Sequence, residues 1–142
     1  MVMTTGMYTS NTPEWGTPQA LFDELDREFH FDLDIAASDD NHKCAKYYTK
    51  KTDGLAHQGD WAGTVWCNPP YGREIGKWVE ACSKYTGGTC VMLLPARTDT
   101  KWFHDYIYKD KRVEIRFIKG RLHFNESKNS APFPSMIVIY KN

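Results

Sequence analysis

The sequence predicts an α/β fold with a doubly wound, mainly parallel sheet. Apolar runs of strand length alternate along the chain with segments whose apolar residues recur every three or four positions, as in βαβ units. The chain has 142 residues, of which 41% are hydrophobic and 14% aromatic, and this is enough to bury one core. We therefore expect one compact domain over residues 14–142, preceded by a flexible polar arm at residues 1–13.

The first predicted element is a helix of about three turns. Thr17 offers an N-cap oxygen and Pro18 suits the first helical position. One face of this helix is apolar, with Phe22, Leu25 and Phe29 at spacings of three and four.

The next predicted element is a buried strand at residues 30–37, which ends on small and turn-prone residues. Residues 43–63 are mixed in character and form the least predictable part of the core. Only 33 residues, positions 35–67, separate Asp34 from Asn68. Two strand-helix units usually need more, so we expect one connecting element to be shortened.

The second half of the chain continues the alternation of strands and helices. After the apolar strand that precedes Asn68, a helix is marked by one apolar face, formed by Ile75, Trp78, Val79, Cys82 and Tyr85. Residues 89–94 predict a strand and residues 98–108 a helix. Residues 113–117 and 136–140 predict two final strands that pair as an antiparallel edge.

The stretch Asn68-Pro69-Pro70-Tyr71 lies between a strand and a helix, where open α/β sheets bind ligands. The prolines fix φ and lack backbone donors, so they hold Asn68 in a rigid turn. An aromatic amine or amide nitrogen is a poor nucleophile because its lone pair is delocalised. The Asn68 side-chain oxygen and the Pro69 carbonyl can accept its N–H bonds, while Tyr71 stacks on the planar group. The alternative is that the prolines only end the strand and Tyr71 fills a surface groove.

This tetrapeptide resembles the catalytic motif of S-adenosylmethionine-dependent amino-methyltransferases, which modify adenine N6, cytosine N4 or glutamine amide nitrogen. Other segments resemble, in the same order, the small phage-type DNA N6-adenine methyltransferases. These segments are Trp15 with Thr17-Pro18, residues 31–37 (Phe-Asp-Leu-Asp-Ile-Ala-Ala), Asp53-Gly54-Leu55, Trp61, Leu93-Leu94-Pro95-Ala96 and Gly120-Arg121-Leu122-His123-Phe124. The resemblance implies a Rossmann-like enzyme that methylates adenine N6 in DNA, with Asn68, Pro69, Pro70 and Tyr71 as catalytic residues.

The resemblance also implies S-adenosyl-L-methionine as the cofactor. Asp34, at the end of the first strand, would meet the methionine amino group, and Ala36 keeps the backbone close to the ligand. Thr17 and Pro18 lie where the family's N-terminal helix approaches the cofactor carboxylate. Asn68 is expected to contact the cofactor as well. A glycine-rich loop is common after this strand in methyltransferases, and this chain has none there.

Asp53 is implied as the acceptor for the adenine amino group of the cofactor, and Asp60 is a weaker candidate for the same role. For each cofactor-binding residue an ordinary structural role remains open. Thr17 could simply cap a helix, and Asp34 and Asp53 could simply support turns.

Surface cations are the candidates for contact with DNA. Arg73 and Lys77 lie beside the catalytic turn, and Arg97 and Arg121 follow strand or turn ends. Further candidates are the loop at residues 125–134 and the cluster Lys43, Lys46, Lys50 and Lys51. A solvated surface is the alternative for every one of them. We expect no separate recognition domain, so loops must read the bases, and a base in duplex DNA must be flipped out to be methylated.

Charge and cysteine content restrict the remaining classes. The 18 basic and 18 acidic residues give a net charge of +0, so any DNA contact needs a local patch. Apolar runs fall short of the roughly 20 residues of a membrane span, which predicts a cytoplasmic protein, in the host cytoplasm if phage-encoded. The four cysteines form no C-x-x-C pair and predict reduced thiols. A zinc site drawn from His42, Cys44, His57 and Cys67 lacks the usual close ligand pairs, so no metal is expected.

Two other functions remain open at this point. One is a protein glutamine or RNA amino-methyltransferase that uses the same turn. The other is a catalytically degenerate nucleic-acid-binding or anti-restriction module, suggested by the missing glycines. The small basic surface leaves either a homodimer or low sequence specificity in DNA as an expectation.

Overall fold

Residues 15–142, the part of the chain that the computed structural model describes, contain six strands in one sheet. The strands are β1 (Leu33–Ala37), β2 (Lys46–Thr49), β3 (Val65–Cys67), β4 (Cys90–Pro95), β5 (Val113–Phe117) and β6 (Ser135–Tyr140). The helices are α1 (Gln19–Phe29), α2 (Ile75–Lys84) and α3 (Lys101–Phe103), and α3 continues as a π-helical segment, His104–Tyr108. Two 3₁₀ segments span Gly54–Asp60 and Phe124–Glu126. The predicted arm at residues 1–13 lies outside the described residues.

Parallel pairing joins four neighbouring strands, and antiparallel pairing occupies one edge of the sheet. The order across the sheet is β2-β1-β3-β4-β6-β5. β1 pairs in parallel with β2 and β3, and β3 pairs in parallel with β4. β6 runs antiparallel to both β4 and β5. The predicted α/β architecture, with a mainly parallel sheet and an antiparallel edge, is confirmed at this level.

The centre of the sheet is the core of the described domain. Every residue of β3, β4 and β6 is buried, which explains why these segments read as continuous apolar runs. α1 covers them with Phe22 and Leu25, and α2 does so with an apolar face that includes Val79. Burying one such side chain stabilises the fold by roughly 1.5 to 3 kcal/mol. The strand ends that carry the polar turns therefore rest on a rigid support.

The shortened connection lies between β1 and β2. Residues 38–45 join these two parallel strands without a helix. The next connection, from β2 to β3, holds only the 3₁₀ segment Gly54–Asp60. This accounts for the short sequence distance between Asp34 and Asn68.

The predicted start of α1 is wrong. The helix begins at Gln19, with Pro18 in the N-cap position and without a capping side chain of its own. The Gln19 N–H instead donates to the Glu126 carboxylate at 2.8 Å. Thr17 is free for another partner, and its hydroxyl oxygen accepts a hydrogen bond from Asn68 at 3.0 Å. A threonine hydroxyl can equally well cap a helix or accept a hydrogen bond from another side chain. Here the Glu126 carboxylate, distant in the sequence, caps the helix.

The four cysteines are free and buried, as the sequence predicts. Burial raises the pKa of the Cys67, Cys82 and Cys90 thiols, which keeps them protonated and unreactive. Over residues 15–142, no three histidine, cysteine or carboxylate side chains are grouped so that they could hold a metal ion. No helix in that part of the chain has the length and apolar character needed to cross a membrane.

Candidate active site

A cavity of about 1000 Å³ opens at the carboxyl ends of β1, β2 and β3. This is the edge at which open α/β sheets bind ligands. The predicted site residues in its lining are Thr17, Asp34, Ala36, Asp53, Asn68, Pro69, Pro70 and Lys77. The predicted site residues outside its lining are Pro18, Tyr71, Arg73, Arg97 and Arg121.

The side chain of Asn68 is fixed at the end of β3 by its nitrogen. That nitrogen donates to the Trp15 carbonyl and to Thr17 Oγ1. A carbonyl can only accept a hydrogen bond, so the contact with Trp15 decides which end of the amide is nitrogen. The oxygen, Oδ1, is buried and has no hydrogen-bond partner within residues 15–142. Leaving a buried acceptor unpaired costs about 1 to 3 kcal/mol, so Asn68 Oδ1 is a strong candidate to receive a ligand N–H.

A second acceptor follows directly in the sequence. Pro69 is buried and lines the same cavity. Its carbonyl accepts no hydrogen bond from any other residue of the described chain. The double proline ends β3 because neither residue can donate to a neighbouring strand. The turn therefore presents two neighbouring oxygen acceptors, a suitable arrangement for a group with two N–H bonds.

Tyr71 is packed into an aromatic cluster beside the turn and is not exposed on a surface groove. Its hydroxyl donates to the Leu93 carbonyl at 3.2 Å, and burial raises its pKa. Its ring meets those of Phe124 and Phe133, with centroids 6.3 and 5.6 Å away, and Trp15 contacts the same two rings. A base could stack on Tyr71 only if one of these neighbours moved. Base stacking by Tyr71 thus stays a prediction.

Asp34 is a buried carboxylate in the wall of the cavity. One oxygen accepts the Lys43 backbone N–H at 3.0 Å and the other accepts the Ala36 N–H at 3.3 Å. Burial raises the pKa of Asp34 to about 6, although these two hydrogen bonds and the charge of Lys43 act in the opposite direction. A desolvated carboxylate of this kind is stabilised when a cationic group or an N–H donor reaches it.

Asp53 both supports a turn and lines the cavity. It adopts a left-handed backbone conformation (φ 57°), and its carboxylate accepts the Ala56 N–H at 3.4 Å. The following residue, Gly54, approaches β1 so closely that an added Cβ would lie 2.3 Å from the Ile35 carbonyl oxygen. Trp61 donates its indole N–H to the Gly54 carbonyl at 3.0 Å. The Asp-Gly-Leu segment and Trp61 therefore act as one unit that holds Asp53 at the cavity.

The weaker candidate Asp60 is not at this site. It interacts with His57 at 3.3 Å and lines a separate hollow, together with Lys46. The predicted lysine cluster is divided in the same way, since Lys43 and Lys50 line the main cavity. Lys46, which begins β2, lines the hollow with Asp60, whereas Lys43 before the strand and Lys50 after it share the main cavity.

Of the other predicted cations, Lys77 lines the cavity, whereas Arg73, Arg97 and Arg121 do not. Arg73, Arg97 and Arg121 are exposed, and the guanidinium of Arg97 lies 5.8 Å from the centroid of the Phe133 ring. Lys77 is also exposed and pairs with Glu74 at 3.0 Å. DNA contact by these four residues stays a prediction.

Sequence reasoning did not foresee how the loop between β5 and β6 supports this site. Asn125 lines the cavity and bonds to Gly16, and Glu126 caps α1. Both residues have left-handed backbone conformations, with φ of 56°. The one available signal was the asparagine at 125, since asparagine tolerates this conformation better than most residues.

Comparison with known proteins decides the family. The sequence model of the DNA N-6-adenine-methyltransferase (Dam) family matches residues 5–142. The chain belongs to this family. The phage-type resemblance that the motifs indicated is thus confirmed.

Two relatives of this Dam-family chain come from a phage and from a bacterium. It is 35% identical over 122 residues to the DNA N-6-adenine-methyltransferase of Escherichia phage T1, a match that covers 80% of this chain and 50% of that protein. It is 39% identical over 66 residues to the putative methyltransferase YfdM of Escherichia coli (strain K12), covering 41% of this chain and 70% of that protein. This chain therefore spans about half the length of the phage T1 relative.

Proposed function

We propose that this protein transfers a methyl group from S-adenosyl-L-methionine to adenine N6 in DNA. The observation that carries the proposal is that, within residues 15–142, the buried Oδ1 of Asn68 has no hydrogen-bond partner and the neighbouring Pro69 carbonyl accepts no hydrogen bond. The substrates named for the family and for the phage T1 relative support adenine in DNA as the acceptor.

The turn explains how an unreactive amine becomes a nucleophile. An exocyclic amine conjugated with a purine ring has its lone pair delocalised into the ring. Asn68 Oδ1 and the Pro69 carbonyl accept the two N–H bonds and thereby favour a nitrogen whose lone pair is directed away from them. S-adenosyl-L-methionine supplies an electrophilic methyl group when it is bound. The residues contribute by positioning and by hydrogen bonding, and a strong base is not required.

The cavity suits the proposed cofactor. Its volume of about 1000 Å³ is at the upper end of the roughly 300 to 1,000 Å³ typical of ligand pockets. Asp34 would hold the methionine ammonium group, and Ala36 leaves the adjoining backbone accessible. Asp53 would accept a hydrogen bond from the cofactor's adenine amino group.

Thr17 and Pro18 need a revised role in this proposal. The Thr17 hydroxyl already accepts from Asn68, and Glu126 occupies the N-terminus of α1. Contact between the cofactor carboxylate and this helix end would therefore require Glu126 to yield. We propose that Thr17 acts first by fixing the Asn68 amide and only second as a cofactor contact.

Recognition of DNA would use Tyr71 and the exposed cations. Tyr71 would stack on the flipped base once Phe124 or Phe133 gives way. Arg73, Lys77, Arg97 and Arg121 would contact phosphates around the cavity mouth, and such contacts would make binding depend on salt. A homodimer would enlarge this basic surface. The proposed place of action is the cytoplasm, where DNA is accessible.

We further propose that the sheet is doubly wound in the Rossmann-like manner of methyltransferases. Successive residues of a strand point to opposite faces. On β3, Trp66 packs against Phe22 of α1, with ring centroids 5.4 Å apart, while its neighbour Cys67 contacts Cys82 of α2. Helices on opposite faces of one strand support this winding.

The acceptor can be tested by product analysis. The protein is incubated with DNA and S-adenosyl-L-methionine that carries a tritiated methyl group, and the DNA is digested to nucleosides. We expect the label in N6-methyl-2′-deoxyadenosine. Label in N4-methylcytosine, or in glutamine of an added protein, would contradict the adenine assignment. If no cofactor binds at millimolar concentration by calorimetry, the catalytically degenerate module would be favoured.

A further inference from the structure

The acceptors that hold Asn68 come from residues on either side of one glycine. The Asn68 amide nitrogen donates to the carbonyl of Trp15 and to the hydroxyl of Thr17. Between them lies Gly16, so any shift of the Gly16 peptide displaces both acceptors together. The orientation of Asn68 Oδ1 therefore depends on how firmly Gly16 is held.

Gly16 is held by Asn125, which is 109 positions away in the sequence. The Gly16 N–H donates to Asn125 Oδ1 at 3.0 Å, and the Asn125 N–H donates to the Gly16 carbonyl at 2.8 Å. The contact leaves no room for a side chain, since an added Cβ on Gly16 would lie 2.1 Å from Asn125 Oδ1 and 2.5 Å from Asn41 Nδ2.

The backbone of Asn125 is adapted to this contact. Its φ of 56° and ψ of 26° place it in the left-handed region, which asparagine enters more easily than most residues. The preceding ring of Phe124 packs against Trp15 with centroids 5.5 Å apart. The loop between β5 and β6 thus fixes both the ring of Trp15 and the peptide that follows it.

We propose that Asn125 is a positioning residue for methyl transfer, acting through Gly16 to orient the Asn68 amide. The inference deepens the proposed function and rests on it. Asn125 anchors the Gly16 peptide, Trp15 and Thr17 then fix the Asn68 nitrogen, and Asn68 Oδ1 remains available to the substrate amine. Displacement of a reacting group by about 1 Å can reduce a rate about 100-fold, so partial loss of this support should be visible in catalysis.

Two substitutions separate the side chain of Asn125 from its backbone. Asn125→Gly keeps the left-handed backbone and the N–H donated to Gly16, and it removes the side chain that carries Oδ1. Asn125→Asp keeps an acceptor oxygen at that place. We expect the methylation rate at saturating DNA and cofactor to fall at least about tenfold in Asn125→Gly. We expect Asn125→Asp to retain most of the rate.

A matched control lies at the opposite ends of the strands from the cavity, where β6 ends beside the start of β4. The Asn142 side chain likewise bonds to the backbone, through its donation to the Tyr85 and Gly88 carbonyls at 2.8 and 2.9 Å. Asn142→Gly removes three side-chain hydrogen bonds, including the one that Oδ1 accepts from Arg112, and Asn142 lies outside the cavity lining. It should change thermal stability without changing the rate.

Gly16→Ala provides an independent approach to the same contact. The atoms that its Cβ would meet are the ends of the Asn125 and Asn41 side chains, so these would be pushed away while the fold persists. If one contact is involved, the rate loss from Gly16→Ala should be much smaller in an Asn125→Gly background. Losses that simply multiply would overturn the proposal.

A second readout does not need activity. The Asn68 side-chain NH₂ resonances, observed by nitrogen-15 NMR, should shift or broaden in Asn125→Gly and stay unchanged in Asn142→Gly. Unchanged Asn68 resonances, a wild-type rate in Asn125→Gly, or an effect confined to the cofactor Kd would each overturn the proposal. Failure of the proposed function would look different, because the wild-type protein itself would then methylate no DNA while the NMR response persisted.

Discussion

Replacing Asp34 with asparagine should stabilise the protein at neutral pH while it damages cofactor binding. The carboxyl has an ordinary pKa of 3.8, and burial raises that pKa to about 6 in the folded protein. Between these two pH values the folded state binds more protons than the unfolded state. The free energy of unfolding therefore falls as the pH rises through this interval.

The size of the effect follows from the two pKa values. The difference between 3.8 and about 6 corresponds to about 3 kcal/mol. This contribution is fully present below pH 4 and is lost as the pH rises through about 6. The asparagine side chain of the Asp34→Asn variant has no charge to bury, so the variant lacks this loss. At low pH the variant should be less stable by about 1 kcal/mol. Its side-chain oxygen can accept from only one of the Lys43 and Ala36 N–H groups, and its NH₂ group, a donor, cannot accept from the other.

The assay is urea unfolding of both proteins at a series of pH values from 4 to 8. We expect the difference in unfolding free energy, variant minus wild type, to rise by about 3 kcal/mol over this range. Calorimetry with S-adenosyl-L-methionine at pH 7.5 should show weaker binding by the variant. Wild-type affinity should increase between pH 5 and 7 as Asp34 ionises. A difference in stability that is independent of pH would refute the reasoning about Asp34.

Other substitutions test the supports of the site. Gly54→Ala should lower the unfolding free energy by about 1 to 3 kcal/mol, because its Cβ would meet the Ile35 carbonyl oxygen at 2.3 Å, while Gly59→Ala, with no atom within 4 Å of its Cβ, should not. Equal effects of the two in thermal unfolding would contradict that close approach. Tyr71→Phe should cost about 1 kcal/mol of stability, through its lost bond to the Leu93 carbonyl, and keep its turnover because the ring remains. Tyr71→Ala should lose turnover, and equal turnover in the two variants would remove the stacking role.

Apolar segments were enough to predict every strand except β2, and the prediction was easiest for β3, β4 and β6, which are buried along their whole length. The residues of β2 are exposed or half-buried, so they give no such signal. The turn that begins at Asn68 was also predictable, since adjacent prolines after an apolar strand permit few conformations. Prediction from the sequence is most accurate where residues close together in the chain determine the conformation.

Contacts between distant segments could not be predicted in this way. Nothing local distinguishes a Thr17 hydroxyl that caps a helix from one that accepts from Asn68, 51 positions away. The burial of Tyr71 depends on rings from a loop more than 50 positions later in the chain. The lysines between positions 43 and 51 looked like one cluster because the sequence does not show that Lys46 lines a different hollow from Lys43 and Lys50.

The claim that Asn68 Oδ1 orients the target amine is tested most directly by Asn68→Ala. Ser135→Ala is the matched control, since Ser135 Oγ is the other buried side-chain atom without a hydrogen-bond partner in residues 15–142. Single-turnover methylation of adenine should slow about 100- to 1,000-fold in Asn68→Ala, with the cofactor Kd little changed, and should keep its rate in Ser135→Ala. A wild-type rate in Asn68→Ala would contradict the account.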